Sequence, residues 1–101
     1  MRRVLLVLAV LALPLTAWAQ ARVTGTRPDC VRVEAVARFG AMAYDHWVHL
    51  ENGCERPVRC RVHTDVNPEV TALELAPGER RDVATFHGSP ASVFVATVDC
   101  E

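Results

Sequence analysis

Apolar and polar residues alternate along much of the chain beyond residue 30, which is the pattern of β-strands with one buried face. Between Val31 and Phe39 every odd position is apolar and most even positions are charged, until a glycine ends the run. Val58, Cys60 and Val62 alternate with arginine and histidine in the same way. Residues 73–75, 83–86 and 92–100 predict further strands, and the last of these puts four core candidates on one face: Phe94, Ala96, Val98 and Cys100.

The segment from Ala43 to Leu50 fits two kinds of element. Its Trp-Val-His-Leu end suits a strand, which Asn52-Gly53 would terminate. The apolar residues of the segment would also line one side of a helix, with the same Asn-Gly pair as its C-terminal stop. The run is short, so we favour a strand. The large apolar ring of Trp47 suggests a core position, and a binding patch shared with Tyr44 is the alternative.

Turn signals divide these runs at regular intervals. About six short strands, spaced about ten residues apart and separated by Gly and Pro turns, are typical of an antiparallel sandwich or small barrel. We therefore predict an all-β fold, a small antiparallel β-sandwich of about six to seven strands within residues 30–101. Residues 20–29 lack periodicity and predict a flexible N-terminal lead-in.

The first 19 residues have the features of a secretory signal peptide. Two arginines precede an apolar run, and Ala17-Trp18-Ala19 fits the small-x-small cleavage rule. The run is shorter than the roughly 20 residues that span a bilayer, and no later segment approaches that length. We expect cleavage after Ala19, a secreted or periplasmic protein, and no membrane span after cleavage.

The charge balance argues against a nucleic-acid partner. The chain has 11 basic residues, all arginine, and 12 acidic ones. Loss of Arg2 and Arg3 with the signal peptide leaves an excess of acidic residues, whereas nucleic-acid-binding domains are basic.

Four cysteines lie in the exported part: Cys30, Cys54, Cys60 and Cys100. An even cysteine count in a small exported chain predicts a disulfide framework. A zinc site would need two closely spaced ligand pairs, and a redox pair would need Cys-x-x-Cys at a helix start; neither spacing occurs.

Four cysteines allow three pairings, and hairpin geometry favours one of them. If the first two strands turn around residues 41–43, Cys30 comes close to opposite Cys54, which leaves Cys60 to pair with Cys100. This arrangement sets Glu34 beside a leucine, so a bulge or a one-residue slip is expected.

The histidines are the remaining candidates for chemistry. His46, His49, His63 and His87 could supply copper or zinc ligands. On a strand, His46 and His49 point to opposite faces and cannot share a metal, whereas on a helix they could. We favour histidines without metal and expect no cofactor. No serine stands in a nucleophile elbow, so we expect no enzymatic activity.

Three stretches resemble the Ig-like β-sandwich modules of secreted bacterial proteins: VHLENG, PVRCRV and LELAPGE, within residues 48–86. In these modules an alternating strand follows a Leu-x-Asn turn and a later strand runs into Pro-Gly. The Cys, Trp, Cys order of antibody domains is missing. The resemblance implies a binding or spacing role rather than catalysis.

These observations predict a non-catalytic binding module of the bacterial envelope whose partner is a protein or another envelope component. The candidate contact face consists of Arg59, Arg61, Arg80 and Arg81. The alternative is that these arginines belong to an ordinary solvated strand surface. A periplasmic copper- or zinc-binding protein is the competing hypothesis.

Overall fold

The computed structural model describes residues 22–101, and the predicted signal peptide lies outside them. The described chain consists of strands, turns and loops, so the predicted all-β class is confirmed. No helix within residues 22–101 is long and apolar enough to cross a membrane. The strands are β1 (Arg22–Thr24), β2 (Val31–Gly40), β3 (Ala43–Asn52), β4 (Val58–Thr64), β5 (Thr71–Leu75), β6 (Arg80–Ser89) and β7 (Val95–Cys100).

The strands form two sheets that enclose one apolar core. One sheet has the order β1-β7-β4-β5 and the other the order β2-β3-β6. Alternate residues of both sheets are buried against each other, as period-2 strands require. Phe94 is the largest fully buried side chain, and its neighbours along the alternation, Ala96 and Val98, are also buried. The inward positions predicted for Val58, Cys60 and Val62 are confirmed.

The segment with two candidate structures is a strand. β2 and β3 form a regular hairpin in which Gly40 faces Ala43 across a two-residue turn. Both turn residues, Ala41 and Met42, have positive φ, of 49° and 67°. Two positive φ angles are the requirement of a type I′ turn, whose twist matches that of the flanking strands.

Both disulfides have the pairing that hairpin geometry favours. Cys30 bonds Cys54 next to the hairpin, and Cys60 bonds Cys100 between neighbouring strands β4 and β7. The hairpin register differs by one residue from a direct Cys30–Cys54 alignment, because Glu34 faces His49. The expected slip therefore occurs, and it puts the odd-numbered apolar residues of β2, Val31 to Phe39, on the same side as the buried even residues of β3.

The segment expected to be a loose lead-in instead contributes a strand. β1 pairs in parallel with β7 at the edge of the four-stranded sheet. Gly25 follows with a φ of 110°, and a Cβ there would lie 2.3 Å from the carbonyl oxygen of Val98. The next residue, Thr26, donates its N–H to Asp99 at 2.8 Å. Glycine thus allows the N-terminal segment to lie directly against β7.

Asn52 joins three parts of the molecule at the end of β3. Its side chain is fully buried; its amide group donates to the carbonyl oxygens of Arg56 and Leu75, and its oxygen accepts the N–H of Cys54. Its backbone pairs with the β5–β6 turn through Gly78. Asn52 therefore ends β3, as the sequence predicted, and it is also a buried polar residue whose side-chain amide has all of its hydrogen bonds made within the protein.

Candidate functional site

The outer face of the three-stranded sheet carries an aromatic group bordered by charge. Along β3 the even positions from His46 to Asn52 are buried, so the odd positions face outward. Trp47 is the central outward residue and is only partly buried, between Val36 on β2 and Ala84 on β6. The predicted core position of Trp47 is therefore wrong. The sequence did contain a signal for this orientation. Val48 and Leu50 are apolar and even-numbered, so the even positions of the strand face the core and the odd position of Trp47 faces outward.

A histidine–aspartate pair lies on each side of Trp47. The imidazole of His49 is nearly parallel to the indole, with ring centroids 6.5 Å apart, and its Nδ1 lies 2.5 Å from Asp82 Oδ1. His87 meets the indole edge-on at 6.3 Å, and its Nδ1 lies 3.4 Å from Asp45 Oδ1. We call these five residues the Trp47 face.

Asp82 fixes the orientation of the His49 imidazole through a hydrogen bond at Nδ1, and Asp45 lies near the Nδ1 atom of His87. Because each aspartate contacts Nδ1, the Nε2 atom of each ring is left to bond other groups. Asp45 also accepts the N–H of Gly88 at 3.1 Å, which ties it to β6. The face thus presents a flat apolar ring bordered by imidazole and carboxylate groups.

An irregularity in β6 helps to place His87. The β3–β6 register shifts on both sides of His46, so that β6 contains one extra residue at Thr85 and a second between Phe86 and Ser89. The hydroxyl of Thr85 donates to the carbonyl oxygen of His46 at 3.2 Å. Bulges of this kind redirect the side chains that follow them. The sequence contains no clear signal for this shift.

His46 belongs to the core rather than to a surface site. It is fully buried, its ring stacks on Phe94 with centroids 4.2 Å apart, and its Nε2 donates to the carbonyl oxygen of Ala91 at 2.7 Å. Its Nδ1 has no hydrogen-bond partner among the described residues. His49 lies on the opposite face of the same strand, so the candidate metal pair His46 and His49 is not brought together.

The other histidines do not complete a metal site. His63 lies on β4, in the other sheet, and faces Thr97 of β7. Within residues 22–101 no three His, Cys, Asp or Glu side chains are grouped so that they could hold a metal ion. All four cysteines are in disulfides, so none of them offers a thiolate ligand.

The four candidate arginines divide between the two sheets. Arg59 and Arg61 point outward from β4, where they line a shallow depression of about 830 Å³ with Glu74 and Asp99. Arg80 and Arg81 begin β6 in the other sheet and therefore do not join them. The four do not form one continuous basic patch.

Each arginine of β6 has an acidic neighbour. Arg80 lies 3.4 Å from Glu51, and Arg81 pairs with Glu79. A hydrogen bond from the backbone N–H of Ala76, together with the guanidinium of Arg81, lowers the pKa of Glu79 below its ordinary value of 4.5. Exposed pairs of this kind are ordinary features of a solvated strand surface.

No family model matches the sequence, and the curated proteins and the solved structures give no significant match. The resemblance of residues 48–86 to Ig-like modules therefore stays a prediction.

Proposed function

We propose that the protein is an exported, non-catalytic binding module of the bacterial envelope, and that its partner contacts the Trp47 face. The observation that carries this proposal is the position of Trp47, which lies partly exposed at the centre of a sheet face between two histidines. The partner class is a protein or another envelope component.

An outward tryptophan is informative because its burial by a partner removes a large apolar area from water. Tryptophan is enriched among the few residues that dominate binding energy at protein interfaces, and such residues are surrounded by polar groups that exclude water. The His49–Asp82 and His87–Asp45 pairs supply such a border. The hydrogen bond between His49 and Asp82 holds that pair in place before binding, which reduces the entropy lost in the complex.

Export is supported by the disulfides. Two disulfides in a domain of this size are consistent with an oxidising extracellular environment. The signal-peptide features of residues 1–19 lead to the same compartment.

The absence of catalysis is proposed from the chemistry of the described residues. Neither histidine–aspartate pair has a cysteine nucleophile available, since every cysteine is oxidised. Ser89 is buried and its hydroxyl accepts the N–H of Ala91. The two imidazoles of this open sheet face therefore serve as binding groups in this proposal.

The test compares substitutions on the two opposite sheet faces. The exported protein, W47A and the control R59A/R61A are immobilised and exposed to the solubilised envelope fraction, and retained components are quantified by mass spectrometry. We expect one component to be retained by the wild type and the control and lost with W47A. Equal retention by W47A and the wild type, or no saturable retention at all, would overturn the proposal.

Fluorescence gives an independent measurement with the purified component. Trp47 is the only tryptophan after residue 19, so its emission reports this face alone. We expect the emission of Trp47 to shift as the purified component is added, and the shift to saturate. Its midpoint should match the concentration of that component at which the immobilised protein is half saturated. Binding without any change in emission would place the contact elsewhere.

A further inference from the structure

β2 is an edge strand of unusual length and regularity. It forms one edge of the three-stranded sheet, and its ten residues pair with β3 without a register shift. The other sheet edges are protected: β1 has three residues, β5 has five, and the pairing of β6 is made irregular by two register shifts. β2 contains no proline. Long, regular edges without such protection are templates for pairing with another strand.

The free hydrogen-bonding groups of β2 can be assigned from the hairpin. A two-residue turn is closed by a hydrogen-bonded pair, here Gly40 and Ala43, so the even residues of β2 direct their backbone groups to β3. The hydrogen bond from Gly53 N–H to the oxygen of Cys30 agrees with this, because residue 30 is even-numbered and its carbonyl group also points toward β3. The odd residues therefore direct their N–H and C=O groups to the open edge. Val31 N–H is already bonded to Pro28, which leaves the edge open from residue 33.

The outward side chains of β2 carry a self-complementary charge pattern. Arg32, Glu34, Val36 and Arg38 follow one another on this face. Glu34 and Arg38 are both exposed, and neither forms an ion pair with another residue in the range 22–101. An antiparallel copy of β2 centred on Val36 would set Glu34 of each strand against Arg38 of the other.

We propose that β2 pairs with β2 of a second copy, antiparallel about a twofold axis at Val36, so that two three-stranded sheets become one continuous sheet. In this register Ala35 faces Ala37 of the other copy, and Val33 faces its Phe39. These are the odd residues whose backbone groups are open, so each facing pair exchanges two hydrogen bonds. The contact is isologous and closes, as a dimer requires.

Neighbouring registers are less favourable. A centre at Ala35 sets Arg32 against Arg38, and a centre at Glu34 sets that carboxylate against its own copy. A centre at Ala37 places Glu34 opposite Gly40, without a charge partner. A centre at Val33 would use Val31, whose N–H is already bonded. Like charges directly opposite each other destabilise a sheet, and so the charge pattern selects the register.

Apolar contacts support the same arrangement. Phe39 is 62% exposed although it lies on the core-facing side of β2, at the end of the strand where Arg38 and Gly40 are also exposed. Val33 of the second copy would cover it. On the outer face, Val36 lies beside Trp47, so the axis would bring two Val36 side chains together between two Trp47 faces. The dimer does not depend on those faces being binding surfaces.

A charge-exchange experiment tests the register. Sedimentation equilibrium of the exported, disulfide-bonded protein is measured for the wild type, E34R, R38E and E34R/R38E. We expect a dimer whose dissociation constant rises at least about tenfold in each single variant and returns to within about threefold in the double variant. R32E is the matched control, because Arg32 faces Gly40 of the second copy; we expect a change of less than about threefold.

A backbone variant tests the edge itself. A37P removes an N–H that points to the open edge and leaves the β2–β3 hydrogen bonds intact. We expect a folded monomer, with folding checked by the near-ultraviolet circular dichroism of Trp47. A wild-type protein that stays monomeric up to millimolar concentration would overturn the proposal. A dimer that survives A37P, or one that R32E weakens as much as R38E does, would also overturn it.

Discussion

Cys60 and Cys100 lie directly opposite each other on neighbouring antiparallel strands, with their Cα atoms 4.1 Å apart. Both side chains are buried, at 1% and 9% exposure. This disulfide therefore links β4 and β7, the two inner strands of the four-stranded sheet, from within the core. The Cys30–Cys54 disulfide lies nearer the surface, beside the end of the β2–β3 hairpin.

We expect the two disulfides to contribute unequally to stability. They join residues 24 and 40 positions apart. In the chain-entropy model both loops give similar values, roughly 3 to 4 kcal/mol each. C60A/C100A also loses buried sulfur contacts, so its free energy of unfolding should fall further than that of C30A/C54A. Urea unfolding of both variants is the measurement, and an equal or reversed order would contradict the core role of the Cys60–Cys100 bond.

Replacement of Asn52 should destabilise the fold strongly. N52A leaves the buried carbonyl group of Leu75 and the partly buried carbonyl of Arg56 and N–H of Cys54 without their partner, and a fully buried group of this kind costs about 1 to 3 kcal/mol. Partial access of water reduces the sum, and we expect a loss of about 3 kcal/mol in urea unfolding.

The isosteric variant N52D distinguishes hydrogen bonding from packing. Its carboxylate would face the carbonyl oxygens of Arg56 and Leu75, which in the wild type accept the N–H groups of the Asn52 amide. N52D should therefore be at least as destabilising as N52A at neutral pH. A nearly neutral N52D would show that side-chain volume, rather than the donor, matters at this position.

Local alternation predicted most of the fold. The positions of Phe94 and Cys60 followed from period-2 patterning, which depends only on neighbouring residues. β1 was not predicted, because a three-residue strand has too few residues to show a period. Its partner β7 also lies more than 70 residues away in the chain.

The candidate site was harder to predict for two physical reasons. Residue size suggested a core position for Trp47, although the parity of Val48 and Leu50 already directed it outward. His87 reaches the indole through a shift of register between β3 and β6, which depends on strand pairing rather than on local pattern. The arginines looked similar in sequence but belong to different sheets.

Two glycines with positive φ should respond differently to alanine. A Cβ at Gly25 would lie 2.3 Å from the Val98 oxygen, whereas a Cβ at Gly78 meets nothing within 4 Å. G78A should cost only the backbone strain of about 1 to 2 kcal/mol. G25A should cost more, because β1 must move away from β7. The measurement is the free energy of unfolding of each variant. A similar decrease in both variants would contradict the close approach of Gly25 to β7.

Glu79 should make stability depend on pH in the acidic range. Its pKa is lower in the folded chain, chiefly because of the hydrogen bond from Ala76 N–H and then because of Arg81. The ionised form therefore stabilises the fold above the unfolded-state pKa, and this contribution is lost as pH falls through the folded value. In E79Q the melting temperature should fall less steeply below pH 4.5 than in the wild type. Parallel profiles for the two proteins would contradict this assignment.

The β2–β3 turn can be improved by substitution. Ala41 and Met42 both adopt positive φ, which costs an L-residue with a Cβ about 1 to 2 kcal/mol. Met42 is 91% exposed, so its replacement removes little packing. A41N/M42G supplies the pair preferred in type I′ turns, and the gain is partly offset by the flexibility of glycine in the unfolded chain. We expect a net stabilisation of about 1 kcal/mol in urea unfolding. A41V is the opposing control, since a β-branched residue fits this conformation poorly and should destabilise the hairpin.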